Sequence, residues 1–417
     1  MKAEIISIGD ELLIGQVINS NQAFIAEKLN SVGVFADRMT TVGDDEQEIL
    51  NAFQKAFTTH EIITVTGGLG PTHDDITRAV VCKFFNSDLV LNNEALANVK
   101  RIFARLSTSP RKVNEDQALV PRNCTVIQNR LGTAPGYFFE RDGKFFFVMP
   151  GVPYEMKAMM DDFVIPFFKK QNTDLVIRHL TLKTTGIAES FLAEQIGDVK
   201  NLFSPDSGIT LAFLPSPLGV RLRITVKARS IEEAEHNIRD IELKLRSKAE
   251  KYIYASDEKE LEDVIGTLLK ERNLTLAVAE SCTGGLIADR ITNISGSSEY
   301  FERGMTTYSN KSKIHELGVP SDFIKHFGSV SRQVAEAMAF GIRTKSNTDI
   351  GISTTGIAGP TGGSAEKPVG LVWIGYSDTD ETFALQFNFI GERRTIKERS
   401  AQAALELVRR KILKINS

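Results

Sequence analysis

The sequence has little cysteine, little histidine and little net charge for its length of 417 residues, and each scarcity excludes a class of protein. Its three cysteines, Cys82, Cys124 and Cys282, are odd in number and far apart, which excludes a disulfide framework and a CxxC metal site. The six histidines show no HxxxH or HxH spacing, so a zinc site is not expected. A formal net charge of -3 gives no sign of a basic surface for nucleic acid, and we expect no direct nucleic-acid binding.

Long hydrophobic runs are also missing, since none approaches the roughly 20 residues that a membrane-spanning helix requires. The opening stretch MKAEIISIGDELLIG has no apolar signal core behind a basic start, so we expect a cytoplasmic protein. Hydrophobic residues make up 42% and charged residues 25%, a balance typical of globular chains with buried cores. At roughly 150 residues per domain, the length predicts two or three domains.

The first 171 residues alternate strand-like and helix-like segments. AEIISIG, VFADRMTTV and EIITVTGG are short, apolar and rich in β-branched residues, which is typical of buried parallel strands. The segments between them have apolar residues at helical spacing, and Ser20 is a candidate N-cap of the first helix. This alternation predicts a doubly wound α/β sheet, in which ligands gather at the carboxyl ends of the strands.

The rest of the chain divides into two further segments. Residues 172–255 combine the alternating strand LGVRLRITVKA with a charged amphipathic helix, which predicts a small α+β module with an antiparallel sheet covered on one face. Residues 256–417 return to alternating helices and strands. We therefore predict two three-layer α/β domains, 1–171 and 256–417, joined by a small α+β domain.

The loop TGGLGPTHDDITR follows a predicted strand and combines glycines with aspartates. Glycine permits close backbone approach to a ligand, and the loop N–H groups could cradle phosphate beside a helix N-terminus. Carboxylates at the same place would repel a bare phosphate unless a Mg²⁺-like divalent cation lay between them. The alternative is a tight turn whose aspartates cap a helix starting near Ile76. The candidates are Gly67, Gly68 and Gly70 for phosphate, and Asp74 and Asp75, with Asp10 and Glu11 from a neighbouring strand end, for metal.

A second turn, VMPGVPYEMKAMM, ends a strand and starts a helix, and Pro153 suits the first helical turn. Glu155 lies in that turn, where the helix dipole alone already favours a carboxylate. Glu155 is therefore either a charge that complements the dipole or a further candidate metal ligand.

The segment AESCTGG places Ser281 and Cys282 between a predicted strand and a predicted helix, and either could be a nucleophile. The backbone N–H groups of Thr283, Gly284 and Gly285 lie near the helix N-terminus, which is suitable geometry for an oxyanion hole. The alternative is that Ser281 merely caps the helix.

The segment GMTTYSNKSKIHELG supplies Tyr308, Lys311 and Lys313. Lysine can replace histidine as the base that activates a serine, provided that burial lowers its pKa from about 10.4 toward neutrality. A helical lysine is more often a solvated surface residue, and this alternative is favoured for Lys311. The glycine- and proline-rich loop TTGIAGPTGGSAEKPVG is typical of a loop that surrounds a ligand.

Taken together, these motifs resemble the CinA family of competence/damage-inducible proteins over essentially the whole chain. GDELLIGQVINSNQAFIAEKLNSVG, TGGLGPTHDDIT and MPGVPYEM are similar to its N-terminal, molybdopterin-binding-like domain. AESCTGG, YSNKSK, TTGIAGPTGG and KPVGLVWIG are similar to its C-terminal nicotinamide-nucleotide amidase domain. The middle segment carries no sharp motif, and its likeness to the family's KH-like domain depends on position and pattern.

The resemblance implies two activities in pyridine-nucleotide recycling. The C-terminal domain would deamidate nicotinamide mononucleotide without a cofactor. The N-terminal domain would hydrolyse the diphosphate of ADP-ribose with a divalent metal, and potassium is associated with that activity. The chain would form a homodimer. By motif position, the implied roles are nucleophile for Ser281, proton transfer for Tyr308 and Lys313, substrate binding for Thr355 and Gly356, and phosphate binding for Arg393.

Two other classes of function are open at this point. The N-terminal domain could bind a molybdopterin or a nucleotide without hydrolysing it. The protein could also be an interaction partner in DNA uptake, although a near-neutral charge and the lack of a basic, aromatic stripe argue against direct DNA binding.

Overall fold

The computed structural model describes residues 1–72, 75–105, 107–171, 176–256 and 258–415. Two compact units share the chain. The first contains residues 1–178 and 226–236, and the second contains residues 179–225 and 237–417.

The first unit contains a six-stranded sheet in the order β2-β1-β3-β8-β7-β6. The strands are β1 Lys2–Ile8, β2 Phe35–Val42, β3 Ile62–Thr66, β4 Leu89–Leu91, β5 Leu119–Pro121, β6 Thr125–Ile127, β7 Gly136–Arg141 and β8 Lys144–Met149. The helices are α1 Asp10–Leu13, α2 Ser20–Ser31, α3 Glu46–Thr59, α4 Thr77–Phe85, α5 Asn93–Arg105, α6 Lys112–Glu115, α7 Pro153–Met159 and α8 Ile165–Lys170. Strands β2, β1, β3 and β8 are parallel, β7 is antiparallel to β8, and β6 is antiparallel to β7. Strands β4 and β5 form a separate antiparallel pair.

Hydrophobic side chains cover both faces of this sheet. Neighbouring residues of one strand enter different clusters, Ile5 and Phe147 joining one, and Ile6 and Phe146 the other. This division follows from the alternation of side chains along a strand. The three-layer α/β fold expected from the sequence is confirmed, but Ser20 does not cap α2. Asn19 does so, since its side chain accepts the N–H of Gln22 at 3.2 Å.

The middle segment forms a four-stranded sheet in the order β10-β11-β9-β12. Its strands are β9 Val176–Thr184, β10 Ile209–Ser216, β11 Gly219–Ala228 and β12 Ile253–Ser256, and its helices are α9 Glu189–Ile196 and α10 Ile231–Ala249. Along β11 the apolar residues are buried and the basic residues exposed, as the alternating sequence predicts. The middle segment is the small α+β module that was expected.

The C-terminal segment forms a five-stranded sheet in the order β14-β13-β15-β16-β17. The strands are β13 Leu276–Glu280, β14 Phe301–Thr306, β15 Ile350–Gly356, β16 Leu371–Ser377 and β17 Thr382–Asn388. The helices are α11 Leu261–Glu271, α12 Leu286–Thr292, α13 Asn310–Leu317, α14 Ser321–Phe327, α15 Arg332–Ser346 and α16 Arg393–Leu413. Strands β14, β13 and β15 are parallel, β16 is antiparallel to β15, and β17 is antiparallel to β16. Two buried clusters contain alternate β13 residues, Val278 in one and Ala277 in the other, so this sheet is also a central layer.

The long helix α16 is fixed by buried polar contacts within the second unit. The amide of Gln402 donates to the Thr185 hydroxyl at 3.2 Å, and Arg409 donates to the Lys251 carbonyl at 2.7 Å. Arg409 also pairs with the buried Glu406 at 2.7 Å. These contacts hold the helix whose first turns carry Arg393 and Lys397.

Candidate active sites

A cavity of about 410 Å³ opens where the parallel strands of the first unit end. Its wall comes from the turns that follow β1, β2, β3 and β8, as expected for ligand sites in open α/β sheets. The polar and glycine residues on this wall include Gly9, Glu11, Asp44, Gly67, Gly68, Gly70, Asp75, Gln117, Gly151 and Glu155. The predicted Gly67 loop and Glu155, far apart in sequence, therefore share one cavity.

Glycine is required in the Gly67 loop because the backbone passes too close to its neighbours for a side chain. Gly67 and Gly68 have φ angles of 117° and 64°, which L-residues with a side chain rarely adopt. A Cβ at Gly67 would collide with the Ile8 carbonyl, and a Cβ at Gly70 would collide with the Asp75 carboxylate. The glycines thus allow the backbone of the loop and the carboxylate of Asp75 to lie close together at the cavity wall.

Three of the predicted acidic residues, Glu11, Asp75 and Glu155, line the cavity. Asp75 does not cap α4, whose N-cap Ile76 makes no side-chain bond; its carboxylate instead accepts the N–H of Thr72 at 3.0 Å and the Thr72 hydroxyl. Asp74, also predicted as a ligand, lies outside the described residues.

Asp10 is not on the cavity wall, contrary to the expectation for a metal ligand. Its carboxylate accepts the N–H of Asp44 at 3.1 Å, while the Asp44 carboxylate accepts the N–H of Asp10 at 3.0 Å. This reciprocal pair ties α1 to the turn after β2. The cavity instead receives Asp44, which sequence reasoning missed, although its position after a parallel strand could have indicated it.

Glu155 reaches the cavity as a buried carboxyl group. The amide of Asn129 donates to its Oε2 at 2.6 Å, and the same amide nitrogen donates to the Ala134 carbonyl at 2.8 Å. Gly132 leaves room for the carboxyl, because any Cβ there would collide with it. Burial raises the pKa of Glu155, with the hydrogen bond from Asn129 acting in the opposite direction. Burial thus disfavours the charged form of this carboxyl group, whereas its place in the first turn of α7 favours a negative charge.

The donor set of the cavity fits a hard divalent cation in part. Carboxylate oxygens are the protein ligands that Mg²⁺ prefers, and Mg²⁺ commonly uses only one or two of them together with substrate phosphate oxygens. Among the described residues, no group of three or more His, Cys, Asp or Glu side chains could hold an ion by itself. The carboxylates of this cavity could thus supply only part of the ligand set of such a cation.

The second site lies in the C-terminal segment, where Ser281 follows β13. The Nζ atom of Lys313 lies 2.9 Å from the Ser281 hydroxyl and also donates to the Thr307 carbonyl at 2.8 Å. Lys313 is only 1% exposed, and burial lowers its pKa to about 8. A lysine of this kind has a neutral fraction near physiological pH, so it could take a proton from the serine.

Cys282, the other candidate nucleophile, is 6% exposed and belongs to the hydrophobic core. Burial raises the pKa of its thiol to about 12, with a smaller contribution from the carboxylate of Glu280. The thiolate is the reactive form of cysteine, and this environment suppresses it. The geometry therefore favours Ser281 of the two.

The alternative that Ser281 caps α12 does not agree with the structure. Gly285 occupies the N-cap position, and the carboxylate of Glu280 accepts the N–H groups of Gly285 at 2.9 Å and Ile287 at 3.1 Å. The Gly284 N–H bonds to the Ser281 carbonyl at 3.2 Å. The expected oxyanion hole therefore loses two of its three donors, and in the described network the N–H of Thr283 is the remaining one.

Tyr308 and Arg393 lie together at the rim of this site. Tyr308 is 61% exposed, and Arg393 donates to its hydroxyl at 2.8 Å and to the Gly359 carbonyl at 2.7 Å. Only the backbone carbonyl of Tyr308 contacts Lys313, at 3.4 Å. The structure thus does not bring the Tyr308 hydroxyl to Lys313 as the expected proton-handling pair, and Lys311 is exposed.

The predicted substrate residues Thr355 and Gly356 end strand β15, but Thr355 faces away from the nucleophile. Its hydroxyl donates to the Ser329 carbonyl at 2.7 Å. The preceding residue, Thr354, lies 2.7 Å from the Thr283 hydroxyl, and its carbonyl accepts the Ser281 N–H at 3.0 Å. Side-chain alternation along a strand explains the one-residue difference, which sequence reasoning missed.

Lys397 is a further residue that sequence reasoning missed. It lies one turn after Arg393 on α16, and its Nζ atom is 3.4 Å from the place that a Cβ would take at Gly284. The two acids on the same helix have other partners, since Glu398 pairs with Arg394 and Glu406 pairs with Arg409. Within the described part of the chain no carboxylate pairs with Lys397, and the i, i+4 spacing from Arg393 could have indicated a shared helix face.

Comparisons with known proteins agree with this arrangement of an N-terminal α/β unit, a small module and a second α/β segment. Residues 4–170 match the family described as a probable molybdopterin binding domain. Residues 179–255 match the damage-inducible protein CinA KH domain, and residues 258–412 match the CinA C-terminal domain.

Full-length relatives then identify the family. A "CinA-like protein" of Chloroherpeton thalassium is 46% identical over 98% of this chain and 99% of its own length. A "putative competence-damage inducible protein" of Caldicellulosiruptor saccharolyticus is 41% identical over 99% of this chain and 100% of its own. The chain belongs to the CinA family.

Solved structures match the chain in part. The competence/damage inducible protein CihA of Agrobacterium tumefaciens is 41% identical and covers 35% of this chain and 90% of its own, with a TM-score of 0.35. Among the described helices, none is both long enough and apolar enough to cross a membrane.

Proposed function

We propose that this protein is a bifunctional hydrolase of pyridine-nucleotide metabolism. Its C-terminal segment deamidates nicotinamide mononucleotide to nicotinate mononucleotide and ammonia. The observation that carries this assignment is the 2.9 Å contact between the Ser281 hydroxyl and a buried lysine whose pKa is lowered to about 8. A nucleophile held by its base is the arrangement that amide hydrolysis requires.

The reaction follows from this pair. Neutral Lys313 takes the proton of Ser281 as the serine oxygen attacks the carboxamide carbon. The N–H of Thr283 supports the charge that develops on the carboxamide oxygen. When the tetrahedral intermediate collapses, Lys313 returns the proton to the departing ammonia. Water then attacks the acyl-serine with the same proton transfer, which releases nicotinate mononucleotide and regenerates Ser281.

Two basic residues at the rim of the serine site, Arg393 and Lys397, could bind the phosphate group of nicotinamide mononucleotide. Arg393 and Lys397 share one face of α16, and Lys397 has its ammonium beside the nucleophile turn at Gly284. Charge-assisted hydrogen bonds to phosphate are stronger than neutral ones. The rim therefore supports a nucleotide substrate rather than the uncharged nucleoside.

We expect Lys397→Met to raise KM for nicotinamide mononucleotide by roughly tenfold with little change in kcat, the loss expected for about one charged hydrogen bond. Methionine keeps the length of the side chain and removes the charge. Steady-state ammonia release measures both constants. Arg394→Gln, on the same helix and paired with Glu398 in the native protein, is the matched control. A fall in kcat with unchanged KM would place Lys397 in the chemical step instead.

The N-terminal unit, in the same proposal, hydrolyses the diphosphate of ADP-ribose to AMP and ribose phosphate. Support comes from one cavity that combines glycine backbone with the carboxylates of Glu11 and Asp75. A divalent metal bound there would neutralise diphosphate charge and activate water. Glu155, buried and held by Asn129, would carry a proton at its carboxyl group. The association with potassium and the homodimer, both implied by the resemblance, belong to this proposal.

We expect Asp75→Asn to reduce ADP-ribose hydrolysis by roughly 10²-fold or more, because a carboxylate that would hold the metal at the diphosphate is lost. Amidase activity should not change, since its residues lie in another segment. AMP formation and ammonia release, measured on the same preparation with metal and with EDTA, test both statements. Glu48→Gln, on the exposed side of α3, is the control. Undiminished AMP formation would move the metal to other groups.

The binding-only alternative has a distinct outcome in the same assay. If the unit binds a molybdopterin or a nucleotide without hydrolysing it, purified protein with metal and ADP-ribose should yield no AMP. A nucleotide-binding unit should still show a higher melting temperature with ADP-ribose, whereas a molybdopterin-binding unit need not. An interaction partner in DNA uptake should show neither activity.

A further inference from the structure

Glu280 is a buried carboxylate that the proposed reaction does not use. It occupies the last position of β13, one residue before Ser281, and is 1% exposed. Its two oxygens accept three backbone N–H groups, those of Gly285 at 2.9 Å, Ile287 at 3.1 Å and Ala288 at 2.9 Å. A carboxylate this deeply buried is tolerated only with such compensation, so the turn and Glu280 stabilise each other.

The backbone of Glu280 also supports the base. Its carbonyl accepts the N–H of Thr307 at 2.8 Å, and the Thr307 carbonyl accepts a proton of Lys313 at 2.8 Å. Lys313 in turn contacts the Ser281 hydroxyl at 2.9 Å. The side chain of Glu280 therefore holds the turn that follows the nucleophile. The backbone of Glu280 is connected to the base, Lys313, through Thr307.

We propose that Glu280 is a positioning residue, which fixes the turn that carries Ser281 and thereby sets the distance between the serine and Lys313. It is not a catalytic residue, because both carboxylate oxygens are occupied by backbone N–H groups. The same bonds satisfy the positive end of α12, so this helix end is not offered to a ligand. The proposal takes its reaction from the function proposed above, but the activated serine can be measured without that substrate.

The decisive variant is Glu280→Gln in the full-length protein. An amide cannot accept three N–H groups and brings its own N–H₂ against them, so the turn should shift. A displacement on the order of 1 Å costs roughly 10²-fold in rate. We therefore expect kcat for nicotinamide mononucleotide to fall by about that factor, while KM stays within a few-fold.

A fluorophosphonate probe reports on Ser281 independently of the substrate. The Ser281 oxygen forms a bond to phosphorus, fluoride leaves, and the serine proton passes to Lys313. Intact-mass measurement gives the rate of adduct formation, which we expect to fall in Glu280→Gln in parallel with kcat. Glu280→Asp keeps the charge but shortens the reach, so it should retain more labelling than Glu280→Gln.

Glu262→Gln is the matched control for a purely structural effect. Glu262 pairs with Arg290 at 2.6 Å, so it also anchors α12, and both side chains are 13% exposed. This variant should lose stability yet label at the wild-type rate well below its melting temperature. If Glu280→Gln is labelled by the probe at the wild-type rate, the positioning role is wrong. If Glu280→Gln does not fold, Glu280→Asp takes its place, and labelling of Glu280→Asp at the wild-type rate would overturn the positioning role. Wild-type labelling without ammonia release would refute only the proposed substrate, and a wild type that neither labels nor turns over would refute both.

Discussion

Ser281→Ala should lose at least roughly 10³-fold in kcat for nicotinamide mononucleotide, the scale seen when a catalytic nucleophile is removed. The reason is that no other described group replaces its oxygen. The neighbouring thiol of Cys282 is 6% exposed, and burial raises its pKa to about 12. Ammonia release under saturating substrate measures the effect, and the melting temperature should change little because the hydroxyl is small.

Cys282→Ala is the natural control for this experiment. It shortens one side chain of the hydrophobic core and should cost some stability, while kcat stays within a few-fold. Two results together would reverse the assignment: an active Ser281→Ala enzyme, and inactivation by iodoacetamide that Cys282→Ala prevents. Such an outcome would mean that the turn at Gly284 opens in solution and exposes the thiol.

The sequence was sufficient for features that depend on periodicity along one strand or helix. The short apolar runs form the parallel strands. Asp75 and Ser281 each lie after such a strand, and parallel strands all end at one edge of the sheet, where ligands bind. The tight backbone of the Gly67 loop was likewise predictable, since glycine is the residue that readily adopts positive φ angles.

The direction of individual side chains could not be obtained in this way. Thr354 and Thr355 are equivalent in the sequence, and only the register Glu280↔Thr354 between β13 and β15 decides which of them contacts the nucleophile turn. Lys311 and Lys313 are two residues apart, a rotation of about 200° around the helix axis, so Lys311 is exposed and Lys313 is buried.

Contacts between distant segments were beyond the sequence as well. Asp10 and Asp44 both follow parallel strands, yet their mutual hydrogen bonds determine which carboxylate lines the cavity. Tyr308 was grouped with Lys313 because they are close in the chain, but its hydroxyl contacts Arg393, 85 residues away. A local motif does not contain that information.

Lys313→Met should approach Ser281→Ala in severity, with a loss of roughly 10³-fold in kcat, because nucleophile and base act as one unit and their losses do not add. In the wild type, only neutral Lys313 can accept the serine proton. The kcat/KM of the wild type should therefore rise with pH and level off above an inflection near 8, the value to which burial lowers this pKa. The residual activity of Lys313→Met should show no such inflection.

The same variant should be at least as stable as the wild type, which separates loss of chemistry from loss of fold. The pKa of Lys313 lies below its ordinary value of 10.5, so the folded state binds this proton more weakly than the unfolded chain. Burying the charged lysine therefore lowers the free energy of unfolding. This cost is complete below pH 8 and disappears as the pH rises toward 10.5. Methionine removes it, so the melting temperature of Lys313→Met relative to wild type should be higher at pH 7 than at pH 10. Ser281→Ala, which keeps the buried lysine, is the control. The opposite result would contradict the assignment. If Lys313→Met is inactive, and if its melting temperature falls further below that of the wild type at pH 7 than at pH 10, then Lys313 is charged in the fold and is not the base.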